Sequence, residues 1–167
     1  QDQCLLSLTT FAFDIATLEL LLPLTRGATL VLTDDQKLKD GGHLVDLINE
    51  RDIDVVQATP AAWRMIMSCW PHEHHKQDDR KRTFLCGGEA LPVSLADELL
   101  KTGSTIWNVY GPTETTIWSG ALRIDENKES MPIGGPLDNT SFHIVDSKLR
   151  PVPPGVPGEL CIGGIGL

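Results

Sequence analysis

Apolar, strand-like runs alternate with runs of helical periodicity over the first two-thirds of this chain, and no other feature narrows its fold as much. CLLSLTTF (4–11) is apolar and threonine-rich, as a buried strand is. Asp14 precedes the helical run IATLELLLPLTR, which ends at Gly27, and stands where an N-cap would accept from first-turn amides. TLVL (29–32) reads as a short strand, and HLVDLINER (43–51) puts Leu44, Leu47 and Ile48 on one helical face. IDVVQA (53–58) is a strand, and Pro60 sits in the first turn of the helix AAWRMIMSCW. TFLC (83–86), SLADELLK (94–101) and TIWNVY (105–110) continue the rhythm as strand, helix and strand.

Such alternation calls for a parallel sheet with helices on its faces, joined by right-handed crossovers. The expected fold class is α/β, a βαβ parallel sheet with flanking helices in a flavodoxin-like subdomain. Ligands of such sheets bind beyond the C-terminal ends of the strands. That places the chemistry at TTFAFD, QATP, CGGE and VYGPTET. After about residue 117 the texture changes: IWSGALR, SFHIVD and GELCI are strand-like, no helical run follows, and Gly and Pro become frequent. We expect a parallel α/β subdomain over 1–124 and the start of a smaller, truncated β-rich unit over 125–167.

With 41% hydrophobic residues among 167, the chain can bury a real core. Fourteen Lys+Arg against 23 Asp+Glu leave a formal charge of −9, which disfavours a nucleic-acid backbone or an anionic membrane as partner. One nucleotide in a local pocket is still compatible with that charge. The cysteines (Cys4, Cys69, Cys86, Cys161) are scattered without a CxxC pair, as thiols of a reducing, cytoplasmic setting are. The longest apolar stretch, FAFDIATLELLLPL, carries Asp14 and Glu19 and reaches Pro23, short of the ~20 apolar residues of a membrane span. No basic n-region follows Gln1, and the chain stops at Leu167, the last residue of the Gly-rich run GGIGL, so it reads as an excerpt of something longer.

NVYGPTETT (108–116) is the richest chemical segment. Tyr110 offers a flat face, Asn108 a donor–acceptor pair for a base edge, Thr113 and Thr115 hydroxyls, and Glu114 a hard oxygen for Mg²⁺. The same residues also make an ordinary turn with a capping threonine. In CGGEALP (86–92) the paired glycines let backbone approach a flat ligand, although a strand-to-helix turn favours glycine as well. Neither GxxxxGK[ST] nor GxGxxG occurs. Asp14 serves as a helix cap, yet between Phe13 and Ile15 its carboxylate also needs a hydrogen bond or a cation. By i+3 and i+4 spacing Asp14, Ile15 and Leu18 share a face. His72, Glu73, His74 and His75 carry ligand atoms, but PHEHHKQDDRKR (71–82) reads as a solvated loop, and Trp63, Met65 and Met67 read as helix packing.

FAFDIATLE, GGEALP, NVYGPTETT and GELCIGGIGL occur in that order. With this set the whole chain resembles the central part of an adenylation domain of a nonribosomal peptide synthetase, in the adenylate-forming (AMP-binding) superfamily. The resemblance implies that an amino acid carboxylate attacks the α-phosphate of Mg·ATP, and that the acyl group then passes to a phosphopantetheine thiol. It implies that Tyr110 stacks on adenine, that Asn108 bonds the exocyclic amine, and that Gly87, Gly88 and Glu89 wall the base. Thr113 would contact the α-phosphate, Glu114 would hold Mg²⁺, and Asp14 would pair with the substrate ammonium. The implied side-chain pocket comprises Asp14, Ile15, Leu18, Gln57, Leu85, Gly87, Val109, Ile117 and Trp118. Its bulk favours glycine, then alanine.

The implied partners are peptidyl carrier and condensation domains, with no nucleic acid and no membrane. A Ser/Thr/Gly-rich phosphate loop is expected upstream of Gln1, and the ribose-holding Asp and catalytic Lys downstream of Leu167. Lys37, Lys39, Lys101 and Lys128 lie in polar settings that do not suit that lysine, so no catalytic residue is expected here and the excerpt alone should be inactive. An acyl-CoA or aryl-acid ligase, which has no ammonium for Asp14 to neutralise, and a noncatalytic nucleotide-binding module are the alternatives.

Overall fold

The computed structural model describes residues 3–71, 81–126 and 129–167. The alternation read from the sequence is present as β1 (Cys4–Leu6), α1 (Ile15–Thr25), β2 (Thr29–Val31), α2 (Gly41–Glu50), β3 (Val55–Ala58), α3 (Pro60–Ser68), β4 (Thr83–Cys86), α4 (Val93–Leu100) and β5 (Thr105–Tyr110). These strands lie in the order β2-β1-β3-β4-β5 and every adjacent pair is parallel. The chain then turns back. β6 (Gly120–Ile124) runs antiparallel to β5 and β7 (Gly135–Pro136) antiparallel to β6, giving a seven-stranded sheet. β8 (Thr140–Val145) and β9 (Glu159–Gly164) form a separate antiparallel pair. The fold class is therefore α/β, with a mostly parallel sheet flanked by helices and a small sheet after it.

Register decides what each sheet face presents. Val56, Phe84 and Ile106 align across β3, β4 and β5 and are fully buried. Side chains two residues along point the same way, which adds Ala58, Cys86 and Asn108 to this face. Against it α2, α3 and α4 pack Leu44, Ile48, Trp63, Ile66, Leu95 and Leu99 in one core. Trp63 and Phe84 stack at 4.6 Å between centroids, and the Trp63 indole donates to the Leu85 carbonyl at 2.9 Å. Gln57, Leu85 and Trp107 align in the intervening row, so they face the other side, with Gly87 and Val109 two residues further on. The sheet thus has an apolar face under its helices and a second face that ends in mixed chemistry.

Local signals set the helix starts. Asp40 accepts from His43 N, so α2 begins at Gly41, two residues before the predicted start. Thr59 accepts from Ala62 N and Pro60 follows, which opens α3 where expected. β1 is shorter than the predicted 4–11. It stops at Leu6 because the amides of Leu8 and Thr9 turn away from the ladder to donate to the Glu19 carboxylate. α1 inverts the usual amphipathic rule: Ala16, Glu19 and Pro23 are its buried residues, whereas Leu21, Leu22 and Leu24 are exposed. The histidines of 72–75 and Lys128 lie outside the described residues.

Candidate nucleotide and side-chain site

Five donors converge on Glu19, which has no accessible surface. Ser7 Oγ (3.0 Å), Leu8 N (2.9 Å), Thr9 N (2.9 Å), Thr9 Oγ1 (2.7 Å) and Gln57 Nε2 (3.0 Å) all donate to it. A buried carboxylate is costly unless it is bonded this fully. The other end of the same amide, Gln57 Oε1, accepts from Trp118 Nε1 at 2.8 Å. The far edge of the Trp118 ring lies against Gly87, where an added Cβ would stand 2.5 Å from Trp118 Cη2 and 2.7 Å from Val109 Cγ2. Gln57, Gly87, Val109 and Trp118 are thereby brought together, with Leu85 beside Gln57 in the ladder. Gly88, at φ +84°, lies near the Thr59 methyl and Ile15 Cδ1, which carries the group towards the start of α1.

Asp14 is the N-cap of α1 and accepts from Ile15 N at 2.8 Å. Among the described residues its half-buried carboxylate has no cationic partner. Leu18 is half-buried one turn beyond, and Ile117 is half-buried next to Trp118.

A cleft of about 380 Å³ opens beyond the ends of β4 and β5. It is lined by Gly88, Glu89, Ala90, Leu91, Asn108, Val109, Tyr110, Gly111, Pro112, Met131 and Ile133. Gly88, Glu89, Asn108 and Tyr110, singled out from the sequence, meet here. Gly87 does not line this cleft; it faces Trp118 instead. Asn108 is buried and its Nδ2 donates to the Pro132 carbonyl at 2.7 Å, which fixes the amide and leaves Oδ1 as its acceptor end. Thr113 and Glu114 are exposed on a 3₁₀ turn (Thr113–Thr115) directly after Pro112. Glu89 and burial both act on the nearby Cys86 thiol: burial, the larger cause, and the Glu89 charge push its pKa up to about 12.

The link from this turn to Trp118 is strained. Thr116 (φ 59°) and Ile117 (φ 66°) both have left-handed backbone, a conformation that costs a β-branched residue about 1–3 kcal/mol. Its surroundings hold it there. Gly111 has no Cβ to collide with the Ile117 carbonyl, which would lie 2.3 Å away, and Ser119 N donates to the Tyr110 carbonyl at 2.8 Å. Thr116 Oγ1 donates to the Gly166 carbonyl at 2.6 Å, so the glycine-rich end of the chain anchors the turn. The strain swings Trp118 back beneath Gly87.

Sequence reasoning missed Glu19 and the far wall of the cleft. Glu19 had a signal, an acid inside an apolar run that follows Ser7, Thr9 and Thr10. Met131, Pro132 and Ile133 had none, because a 24-residue separation from Asn108 is bridged only by the antiparallel return of β6 and β7.

Comparison with known proteins agrees with this geometry. Residues 1–167 match the family described as AMP-binding enzyme. A dimodular nonribosomal peptide synthase of Bacillus subtilis (strain 168) is 43% identical over 168 residues, covering 100% of this chain and 7% of that protein. Bacitracin synthase 1 of Bacillus licheniformis is 35% identical over 172 residues, covering 100% of this chain and 3% of that one. A solved four-domain nonribosomal peptide synthetase bound to AMP and glycine superposes with a TM-score of 0.89 at 46% identity, over 99% of this chain and 12% of that one. The chain thus spans only a small part of the length of these relatives. Strand-end cleft, inward-turned Trp118 and full-length family match agree: this chain belongs to the AMP-binding enzyme family.

Proposed function

We propose that the chain is the central part of an adenylation domain that activates a small amino acid, glycine first and alanine next. The carboxylate of the amino acid attacks the α-phosphorus of ATP and displaces pyrophosphate, leaving an aminoacyl adenylate. The phosphopantetheine thiol of a carrier domain then attacks the acyl carbon and releases AMP. A condensation domain of the same synthetase would take the product onward. In this reading 1–124 carries the amino acid pocket and most of the adenine site, with Met131 and Ile133 adding its far wall, and 125–167 begins a second subdomain.

One observation supports the reading: the Trp118 ring, tied to Gln57, lies so close to Gly87 and Val109 that even a Cβ on Gly87 would stand 2.5 Å from it, which favours a substrate with little or no side chain. The 46% identity to a synthetase bound to AMP and glycine supports it further. The free acceptor end of Asn108 suits the exocyclic amine of adenine, Tyr110 suits stacking on the ring, and Gly88 lets the base approach beside Glu89. Thr113, exposed on the 3₁₀ turn after Pro112, would offer its hydroxyl to the α-phosphate. Glu114 is a lone exposed carboxylate, with no cluster of three ligand side chains among the described residues. That fits Mg²⁺, which takes one or two carboxylates and completes its shell with water and phosphate oxygens. The metal would neutralise phosphate charge; Glu114 would fix where it sits. Asp14, uncommitted to any cation among the described residues, suits the substrate ammonium, with Ile15 and Leu18 on the same face.

ATP–pyrophosphate exchange by the complete parent domain, run across the amino acids, tests this. Glycine should give the highest exchange, alanine the next, and Asp14→Ala should lose about 3 kcal/mol or more of kcat/KM as the ammonium loses its partner. Preference for Phe, Leu or an acidic amino acid would sink the assignment. Activation of an aryl or fatty acid that survives Asp14→Ala would select the acyl-ligase alternative.

A further inference from the structure

Nothing about a leucine-rich helix with three exposed leucines explains why its most deeply buried side chain is an acid. Glu19 is not in contact with the cleft, and its five partners are all donors. One of them, Gln57, has chemically different ends. A carboxylate can only accept, so Gln57 must turn its NH₂ towards Glu19. An indole N–H can only donate, and Gln57 Oε1 is left facing Trp118 Nε1 at 2.8 Å. The orientation of the amide is therefore dictated from α1 and transmitted to the indole. Ser7, Leu8 and Thr9, directly after β1, hold the carboxylate from the other side, so it has no freedom to rotate away.

We propose that Glu19 is a positioning residue for substrate selection: through Gln57 it latches Trp118 against Gly87 and Val109, and that latch excludes side chains larger than hydrogen. The proposal rests on the adenylation reading above and deepens it. Without the latch the Trp118 ring still fills the pocket but can swing. Swinging admits a methyl group without touching the cleft beyond β5.

The test uses the complete parent domain in glycine- and alanine-dependent pyrophosphate exchange, with kcat and KM measured for the amino acid and for ATP. Glu19→Gln puts an amide among donors, and Trp118→Phe keeps an aromatic side chain while removing both the N–H and the outer ring edge that reaches Gly87. Each should lower the glycine-to-alanine ratio of kcat/KM about tenfold, the lower end of what excluding one methylene is worth. The KM for ATP should stay unchanged. The double variant should lower the ratio no further than Trp118→Phe alone, since both act on one latch. An indole N–H resonance assigned to Trp118 by its disappearance in Trp118→Phe should exchange with solvent faster in Glu19→Gln.

If Glu19→Gln lowers stability or overall turnover with the ratio intact, or if the two effects multiply, the latch is overturned. Should Glu19→Gln fail to fold, Gln57→Leu replaces it in the same cycle, and the same two results support or overturn the latch. Absence of amino-acid-dependent exchange in the unmodified parent would instead overturn the adenylation reading, and this inference with it.

Discussion

Gly87 is the residue at which geometry leaves least latitude. It is buried, and an added methyl would stand 2.5 Å from Trp118 and 2.7 Å from the Val109 carbonyl oxygen. The backbone contact cannot yield as a flexible side-chain tip would. Gly87→Ala should therefore cost the parent domain about 1–3 kcal/mol, read as a lower Tm, with glycine exchange falling alongside. Cys86, one residue earlier, makes a second prediction. Its thiol is inaccessible and its pKa lies at about 12, so near pH 8 it is both protonated and shielded. Cys69 is exposed. Brief alkylation of the folded protein followed by peptide mass analysis should label Cys69 and spare Cys86; equal labelling would show that the β4 end opens. Both residues stand in CGGE, which the sequence marks as a place for close backbone approach, but which of two neighbouring glycines faces the indole and which the cleft was not legible there. That division follows from strand alternation carried one residue past β4.

Elements were legible to the extent that local chemistry made them. Caps at Asp40 and Thr59 and the run of buried apolar side chains gave α2 and α3 their places, whereas β1 was overestimated because its continuation, Ser7 to Thr9, donates to a side chain on a later helix. The connection between β8 and β9 carries its own local device. Asp146 accepts from Lys148 N (2.8 Å), Arg150 N (3.0 Å) and Arg150 Nε (2.8 Å), closing a loop in which Leu149 sits at φ +58°. The Arg150 side-chain bond, then its backbone bond, hold the Asp146 carboxyl below the usual range. A carboxyl with a lowered pKa stabilises the fold above its ordinary value and loses that contribution as pH falls through the lowered one. Protection of the Lys148 and Arg150 amides, taken relative to their intrinsic exchange at each pH, should therefore be high at neutral pH and fall only in acid, below the ordinary aspartate range. Asp146→Ala should abolish this pH dependence and leave both amides unprotected throughout. A pH response retained in that variant would assign the protection to another group.

At the scale of the molecule, the apolar side chains Phe11, Phe13, Leu21, Leu22 and Leu24 are exposed around α1. An apolar patch of this kind binds hydrophobic dyes and promotes association when left uncovered. The 167-residue chain on its own should therefore bind such a dye strongly. Dye binding no stronger than that of the complete parent domain would refute this. No helix among the described residues is long and apolar enough to cross a membrane. The sequence by itself determined the class of fold, because the period of apolar residues switches between strand and helix and permits few other architectures. It also picked out Gly88, Glu89, Asn108 and Tyr110 at the ends of β4 and β5, since motif residues adjacent in sequence stay adjacent at a strand end. Only the tertiary structure decided that Glu19 is interior while its leucine neighbours are not, and that Trp118 turns back on Gln57. It alone placed Met131 and Ile133 opposite Tyr110. Behind these placements stand the hydrogen bonds Gln57–Glu19, Asn108–Pro132 and Trp118–Gln57, which join residues 24 to 61 positions apart and whose partners no local pattern encodes.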